Sequence, residues 1–252
     1  MFEKIISGND IRHGSSVFST DQLGNSEVVP VSVSLNGVHH SSVIEDRMKL
    51  YRFYSGDDDG SGGGGTLQIR AISETNAKPT GTVDGDLVII MAQASNADLT
   101  GPAGFTQLAS FNTNRDYGVW WKIASSEPST YTVTNATEYI IFSVQGCHGT
   151  PIHASEDEAP AASSSHTYSP LTLSTNGCLI IGFHFQIDNT PEAAITSGPA
   201  TIQASNYQTS GFDRGMMFFT MNSLQNTGYS DDITISRDAV VGRVTQIAIK
   251  PG

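Results

Sequence analysis

Several side chains between positions 148 and 168 are of types that could bind a metal. They are His148, His153, Glu156, Asp157, Glu158 and His166. Imidazole and carboxylate groups ligate zinc and related ions, but this spacing matches neither His-Glu-x-x-His nor closely paired cysteines. The segment is also rich in Ser, Ala and Pro. We therefore predict that residues 148–168 form a long acidic surface loop, with a metal site as the alternative.

Nucleophilic catalysis would need an activated side chain beside a base. Cys147 and His148 are neighbours, but adjacent residues of a strand point to opposite faces. The chain contains no Gly-x-Ser-x-Gly sequence. Paired carboxylates for glycoside hydrolysis are recognised in space rather than in sequence, and the acids here fall mainly in turn-forming stretches. We predict that the protein is not an enzyme and uses no cofactor, with a polysaccharide hydrolase as the least favoured alternative.

Residues 55–70, SGDDDGSGGGGTLQIR, combine three aspartates with a run of glycines. A calcium loop alternates oxygen ligands, as Asp57, Asp59 and Ser61 do, but it usually ends in a later glutamate. A phosphate loop needs Lys-Ser or Lys-Thr after the glycines, where this chain has Thr-Leu. Because Gly62–Gly65 have no side chains and the greatest backbone freedom, we predict a flexible joint, with a calcium loop as the alternative.

This joint divides the sequence into an N-terminal arm or anchor, residues 1–55, a linker, 56–65, and a main domain, 66–252. Most of the arm lacks hydrophobic periodicity. Within it, SEVVPVSVSLNGV at 26–38 alternates apolar and polar residues and ends in Asn-Gly, which predicts a strand followed by a turn. The stretch 41–54 fits either a short capped helix or a strand.

The main domain has short apolar runs about ten residues apart, with turn residues between them and no convincing amphipathic helix. This spacing predicts an all-β fold, an antiparallel, jelly-roll-like β-sandwich behind an extended N-terminal arm. Runs that are apolar on both faces, such as LVIIMA and CLIIGFHF, predict central strands. The expected strands are 66–73, 86–94, 104–111, 116–124, 130–134, 137–146, 169–174, 178–187, 200–207, 212–221, 230–236 and 240–249.

Composition and charge exclude some partners. The 252 residues carry a net charge of −12, and only 15% of them are charged. Nucleic-acid binding needs clustered Lys and Arg, so we predict no nucleic-acid partner. No apolar stretch reaches transmembrane length and the N-terminus lacks a signal-peptide core, which predicts no membrane insertion and synthesis in a cytoplasm.

The two cysteines, Cys147 and Cys178, each border a strongly apolar run. Free cysteines are among the most buried residue types, so we predict two buried thiols. A disulfide between them is the alternative, since two cysteines do not define a framework.

The stretch 84–154 contains a series of recognisable motifs. It runs DGDLVIIMAQAS, GPAGFTQLASF, YGVWWKIASSEPSTYTVT and YIIFSVQGCHGTPIHAS, and SPLTLSTNGCLIIGFHF continues it at 169–185. A Gly-Asp leads a core strand, Pro-x-Gly-aromatic precedes the next, and Glu-Pro-x-x-Tyr follows an aromatic-rich strand. In these features the chain resembles a β-sandwich module that recurs in phage virion proteins.

The resemblance implies a tail-fibre, tail-tip or capsid-decorating protein, a homotrimer in many cases, with a glycan-binding surface in some. We expect a virion protein, made in the host cytoplasm, whose residues 1–55 contact other virion proteins while the sandwich faces outward, in reach of host glycans. The alternative is a free-standing carbohydrate-binding module or a bacterial surface adhesin.

Strand alternation within 116–124 places Tyr117 and Trp121 on one face and Trp120 on the other. One tryptophan should therefore be core, and the other should cover the sheet, meet a subunit or bind a ligand. The predicted ligand-binding residues are Trp120, for stacking on a sugar, with Arg115 and Asp116 beside it at the start of the strand.

Overall fold

The computed structural model describes residues 30–35, 38–43, 66–95, 97–111, 115–160, 162–187, 192–208, 214–237 and 242–252. The chain divides into two compact units, Met1–Asp59 and Gly60–Gly252. In the first unit, β1 (Pro30–Leu35) pairs antiparallel with β2 (Val38–Val43), as the alternation before Asn-Gly predicts. The predictions for the linker and for the rest of the arm lie outside the described residues.

The second unit is built from strands, and its described residues contain no helix. The strands are β3 (Gln68–Ser73), β4 (Leu87–Ser95), β5 (Thr106–Phe111), β6 (Arg115–Ile123), β7 (Glu138–Gln145), β8 (Cys147–Glu158), β9 (Ser165–Tyr168), β10 (Leu179–Gln186), β11 (Ala194–Ser197), β12 (Ala200–Gln208), β13 (Arg214–Met221), β14 (Ile233–Ser236) and β15 (Gly242–Pro251). It follows that none of the described residues belongs to a helix long and apolar enough to cross a membrane.

These strands form three antiparallel sheets. The first sheet has the order β3-β7-β4-β6-β5, the second has β12-β13-β10-β15-β8, and the third has β11-β14-β9. The all-β antiparallel prediction is therefore confirmed. A jelly-roll strand order is not established, because the five strands of the first sheet follow one another in the chain.

The main core lies between the first and second sheets. Strands β4, β7, β10 and β13 supply alternating apolar side chains to it, and Phe142 of β7 stacks on Phe218 of β13 with ring centroids 4.1 Å apart. A second core lies on the opposite face of the second sheet, where the third sheet packs on residues such as Phe219 and Val244. The second sheet is thus buried on both faces, which explains why its central strands are apolar without alternation.

The outer face of the first sheet is also covered. Val88, Ile90 and Ile141 pack there against residues of the connecting segments 99–105 and 124–136, which include Tyr131. Isolated bridges at Ala77–Thr130 and Thr100–Thr134 hold the 124–136 segment in an extended course.

The predicted long loop at 148–168 is wrong. Most of it belongs to β8, which pairs with β15 along one edge of the second sheet, and its last residues form β9 in the third sheet. Ser, Glu and Asp have low strand propensity, and an exposed edge strand tolerates them because only one of its sides must be paired.

Two predicted strands are extended segments outside the sheets. Residues 130–134 contribute only bridges, and 169–174 form no ladder, although Leu171 and Leu173 alternate into the second core. The short strand β11 was not predicted from the sequence.

Candidate functional site

A set of polar side chains meets at one end of the first and second sheets, around a cavity of about 20 Å³, which we call the end cavity. A space of this size holds about one water molecule. The ends of six strands, β4, β5, β6, β10, β13 and β15, supply most of its lining residues, which include Gln93, Phe111, Asp116, Tyr117, Phe185, Arg214 and Arg243. Polar residues gather here because the apolar core stops at the strand ends.

A buried ion pair joins the two sheets beside the end cavity. Arg214 Nη2 donates to Glu138 Oε1 over 2.7 Å and to Thr137 Oγ1 over 2.7 Å, and Nη1 donates to Ser95 Oγ. Gln93 Nε2 donates to the other carboxylate oxygen of Glu138. The Nε atom of Arg214 is buried without a hydrogen-bond acceptor. A group entering the end cavity could supply that acceptor.

Asp116 is the acidic residue of the end cavity, and its residue surface is only 4% exposed. Burial raises the pKa of Asp116 above its ordinary value; a backbone hydrogen bond from Ala97 opposes this shift and the nearby Asp98 adds to it. Because alternate residues of a strand share a face, the Asp116 side chain lies on the Trp120 side of β6, away from the main core that Tyr117 enters. The end cavity therefore offers Arg214 Nε as its buried donor, which suits the oxygen of an alcohol or a water molecule.

Aromatic rings form the apolar wall of the end cavity. The Tyr117 ring stacks on Phe185 with centroids 3.4 Å apart, and the centroid of the half-buried Phe111 ring lies 6.2 Å from that of Tyr117. Burial, and then the field of Asp157, raise the pKa of Tyr117 far above its ordinary value, so its phenol is neutral.

The structure gives the predicted ligand-binding residues different surroundings. Asp116 lies beside the end cavity near the start of β6, and Trp120, four residues further along the same face, lies in the covered outer face of the first sheet and is 3% exposed. The indole occupies space that glycines leave open, because a Cβ at Gly101 or Gly118 would overlap its ring. Stacking on a sugar needs an exposed ring face, so Trp120 in this structure covers the sheet.

Arg115, the remaining predicted residue, opens β6 opposite Ser95 of β4. The face assignment in β6 is confirmed, because Tyr117 and Val119 enter the main core while Trp120 enters the outer one. Trp121 is partly buried against the main core.

Sequence reasoning missed Gln93, Glu138 and Arg214. Each lies near one end of an apolar run. A polar residue at that position also marks the boundary of an ordinary strand, so it does not by itself indicate a site. Arg214 and Glu138 are 76 residues apart, so no local spacing could have paired them.

The histidines considered for a metal site have separate partners. His148 Nδ1 accepts from Thr150 N over 3.0 Å, and His153 Nε2 accepts from Ser174 N over 2.9 Å. His166 instead packs edge-on against Tyr168. Among the described residues, no group of three or more His, Cys, Asp or Glu side chains is placed to hold a metal ion.

Cys147 and Cys178 are buried free thiols, as expected from their apolar surroundings. Burial raises the pKa of both, which keeps them protonated and unreactive at neutral pH.

The motifs that carry the family resemblance make structural contacts. Gly85, with φ of 92°, leads into Asp86, whose carboxylate accepts from Arg70 Nε over 2.7 Å and from Val83 N over 3.0 Å. Gly104, with φ of 82°, completes the turn from Pro102 that precedes β5. These residues set the turns at which strands of the first sheet begin.

The Glu-Pro-x-x-Tyr motif fastens the segment after β6 to that strand. Glu127 Oε1 lies 2.6 Å from Lys122 Nζ and accepts from Ser125 N over 3.0 Å. Burial alone would raise the pKa of Glu127, but Lys122 and the Ser125 amide together hold it below its ordinary value. Tyr131 packs edge-on against Phe105, which closes the cover over the first sheet.

Comparison of the chain with protein-family models, with curated proteins and with solved structures found no significant match to any of them.

Proposed function

We propose that this chain is a structural protein of a bacteriophage particle, which displays the unit Gly60–Gly252 on the particle surface and is attached through residues 1–55. We also propose that the unit is a jelly-roll-like β-sandwich related to those of phage virion proteins, as the sequence motifs imply. The proposal also includes assembly as a homotrimer.

The observation that supports this proposal best is how the resembling motifs are used. Asp86, Gly104, Glu127 and Tyr131 all serve to position strands of the first sheet or to hold the segments that cover it. The motifs therefore stabilise a β unit whose sheets are covered. A structural module displayed on a particle surface requires such a unit. Both faces of the second sheet and the outer face of the first are covered, so most of the large apolar side chains among the described residues of the unit lie inside.

Mass spectrometry of particles purified by density gradient from the source organism tests this proposal. We expect peptides of the chain in a fixed ratio to the major capsid protein, and immunogold labelling at one location, which would distinguish a short tail fibre or tip from a capsid decoration. A chain that is absent from particles and present on the cell surface or free in the medium would instead support an adhesin or a carbohydrate-binding module. Sedimentation equilibrium of the full chain should give three times the 26.8 kDa of one copy.

Contact with a host-surface glycan belongs to the same proposal, and we place it at the end cavity. Arg214 offers a buried donor to a sugar hydroxyl, and the half-buried Phe111 offers an apolar neighbour for the C–H groups of the sugar. Binding to a glycan array should be lost in Phe111→Ala and retained in Val83→Ala, an exposed apolar residue before the other end of β4. Equal binding by both variants would remove the end cavity from the proposal.

A further inference from the structure

Two glutamates of β8 lie on one face of the strand at the exposed edge of the second sheet. Glu156 and Glu158 are two residues apart, so their side chains project to the same side, and both line one small crevice. Two carboxylates in one crevice repel each other, and a cation between them would offset that repulsion.

A third side chain that carries an oxygen lines the same small crevice. Gln246 of β15 is the register partner of Glu156, is only 3% exposed, and lines the crevice together with both glutamates. Its Oε1 atom is buried and has no hydrogen-bond partner. A buried amide oxygen left without a donor is costly, and a bound cation would satisfy it.

We propose that Glu156, Glu158 and Oε1 of Gln246 form a calcium-binding site at this edge of the second sheet. Calcium takes six to eight oxygen ligands in a flexible geometry, including carboxylates and amide oxygens, and accepts water for the rest. Magnesium demands a stricter octahedron and gives up its water reluctantly, so it fits this ligand set less well.

The other groups around the crevice permit a cation but do not add to its binding. His166 of β9 lies on the opposite wall, and burial and the nearby Arg237 lower its pKa, so it is neutral at pH 7. Burial raises the pKa of Tyr168 well above its ordinary value, so its phenol is neutral as well. Asp157 points to the other face of β8, where it pairs with Arg243. With two carboxylates and Arg237 nearby, we expect a dissociation constant of about 10⁻⁴ to 10⁻³ M, as in extracellular calcium modules.

Chemical denaturation of the full chain with and without calcium tests the proposal. At about 10 mM CaCl₂ the unfolding constant should fall about ten- to a hundredfold relative to EDTA at equal ionic strength, which is the mass-action effect of a ligand present at about ten to a hundred times its dissociation constant. MgCl₂ at the same concentration should have a much smaller effect. Glu156→Gln/Glu158→Gln, which keeps the shape of both side chains, should abolish the response, and Gln246→Leu should weaken it.

Two controls separate this site from other acidic parts of a chain with a net charge of −12. Glu74→Gln removes an exposed acid elsewhere, and Asp57→Asn/Asp59→Asn removes the aspartates before the glycine run; both variants should respond to calcium as the wild type does. Terbium luminescence sensitised by Tyr168 provides a second readout, which calcium should displace and which the double glutamine variant should lack. A wild type without a calcium response, or a double glutamine variant with an undiminished one, would overturn the proposal. The result bears on this edge alone and leaves the virion assignment untouched.

Discussion

Arg214 of β13 and Glu138 of β7 form an ion pair across the interface of the two large sheets, with side chains only 9% and 10% exposed. Replacing one partner leaves the other as an uncompensated buried charge, which typically costs about 3–5 kcal/mol. We expect Arg214→Met and Glu138→Gln each to lower the free energy of unfolding by about this amount, measured by urea denaturation. The double variant should lose clearly less than the sum of the two.

A control for this pair is available in the same unit. Arg243 and Asp157 also form an arginine–carboxylate pair, but their side chains are 23% and 28% exposed. Asp157→Asn should therefore cost no more than about 1 kcal/mol. Equal losses for Asp157→Asn and Glu138→Gln would show that burial does not set the cost of breaking these pairs.

Trp120 fits over the first sheet because Gly118, two residues before it in β6, has no side chain. Gly118→Ala should therefore overpack the cover and destabilise the protein by about 1–3 kcal/mol. In a Trp120→Leu background the same change should cost much less, since the ring that it meets is gone. Gly149→Ala, where an added Cβ meets nothing within 4 Å, should stay within about 0.5 kcal/mol. A large cost for Gly118→Ala in both backgrounds would contradict the contact.

Acid should destabilise the protein through His184. Burial first, and then the nearby Arg237, lower the pKa of this fully buried imidazole from 6.5 to about 3. The folded state therefore keeps His184 neutral while the unfolded chain takes up a proton. Stability from this residue is complete above pH 6.5, falls as the pH drops from 6.5 towards 3, and declines no further below that.

Comparison with His184→Leu isolates this effect. Between pH of about 7.5 and about 4.5, the wild type should lose about 3 kcal/mol more stability than the variant does, because each pH unit below 6.5 contributes about 1.4 kcal/mol. Parallel pH profiles for the two proteins would mean that His184 takes up its proton at the same pH in the folded and the unfolded state.

The reactivity of the two thiols shows whether the main core and the second core are folded. Cys147 lies in the core between the large sheets and Cys178 in the core under the third sheet, and both are free. Neither should react with a thiol reagent such as dithionitrobenzoate in native buffer, and both should react once the chain is unfolded in denaturant. Absence of reactive thiols after unfolding would indicate a disulfide instead.

The sequence predicted most strands of the two large sheets, including the edge strands β3 and β5, and missed the exposed strand β8 and two short strands of the third sheet, β9 and β11. Strands β4 and β10 were expected at 86–94 and 178–187 and lie at Leu87–Ser95 and Leu179–Gln186, because their unbroken apolar runs fit only a position with both faces covered. The prediction for β8 failed because this edge strand is exposed and is paired on one side only, so it contains Ser, Glu and Asp residues that do not resemble a strand in sequence. The third sheet has strands of four residues, which are too short to show a period.

The end cavity was predictable only in part. Asp116 was identified from its position at the start of an aromatic strand, but Arg214 and Glu138 come together through the packing of two sheets. Trp120 was assigned to the correct face of β6, yet its burial depends on the remote segments 99–105 and 124–136, whose course no local pattern reveals.

The second sheet has no face turned to water along β10 and β13, where every residue is buried. A larger side chain at any of these positions must displace neighbours in one interior or the other, and a polar one must find a partner there. Substitutions should therefore accumulate slowly in these two strands and faster in the edge strands and turns. Distant relatives would then be recognised by two short apolar segments about thirty residues apart rather than by overall identity.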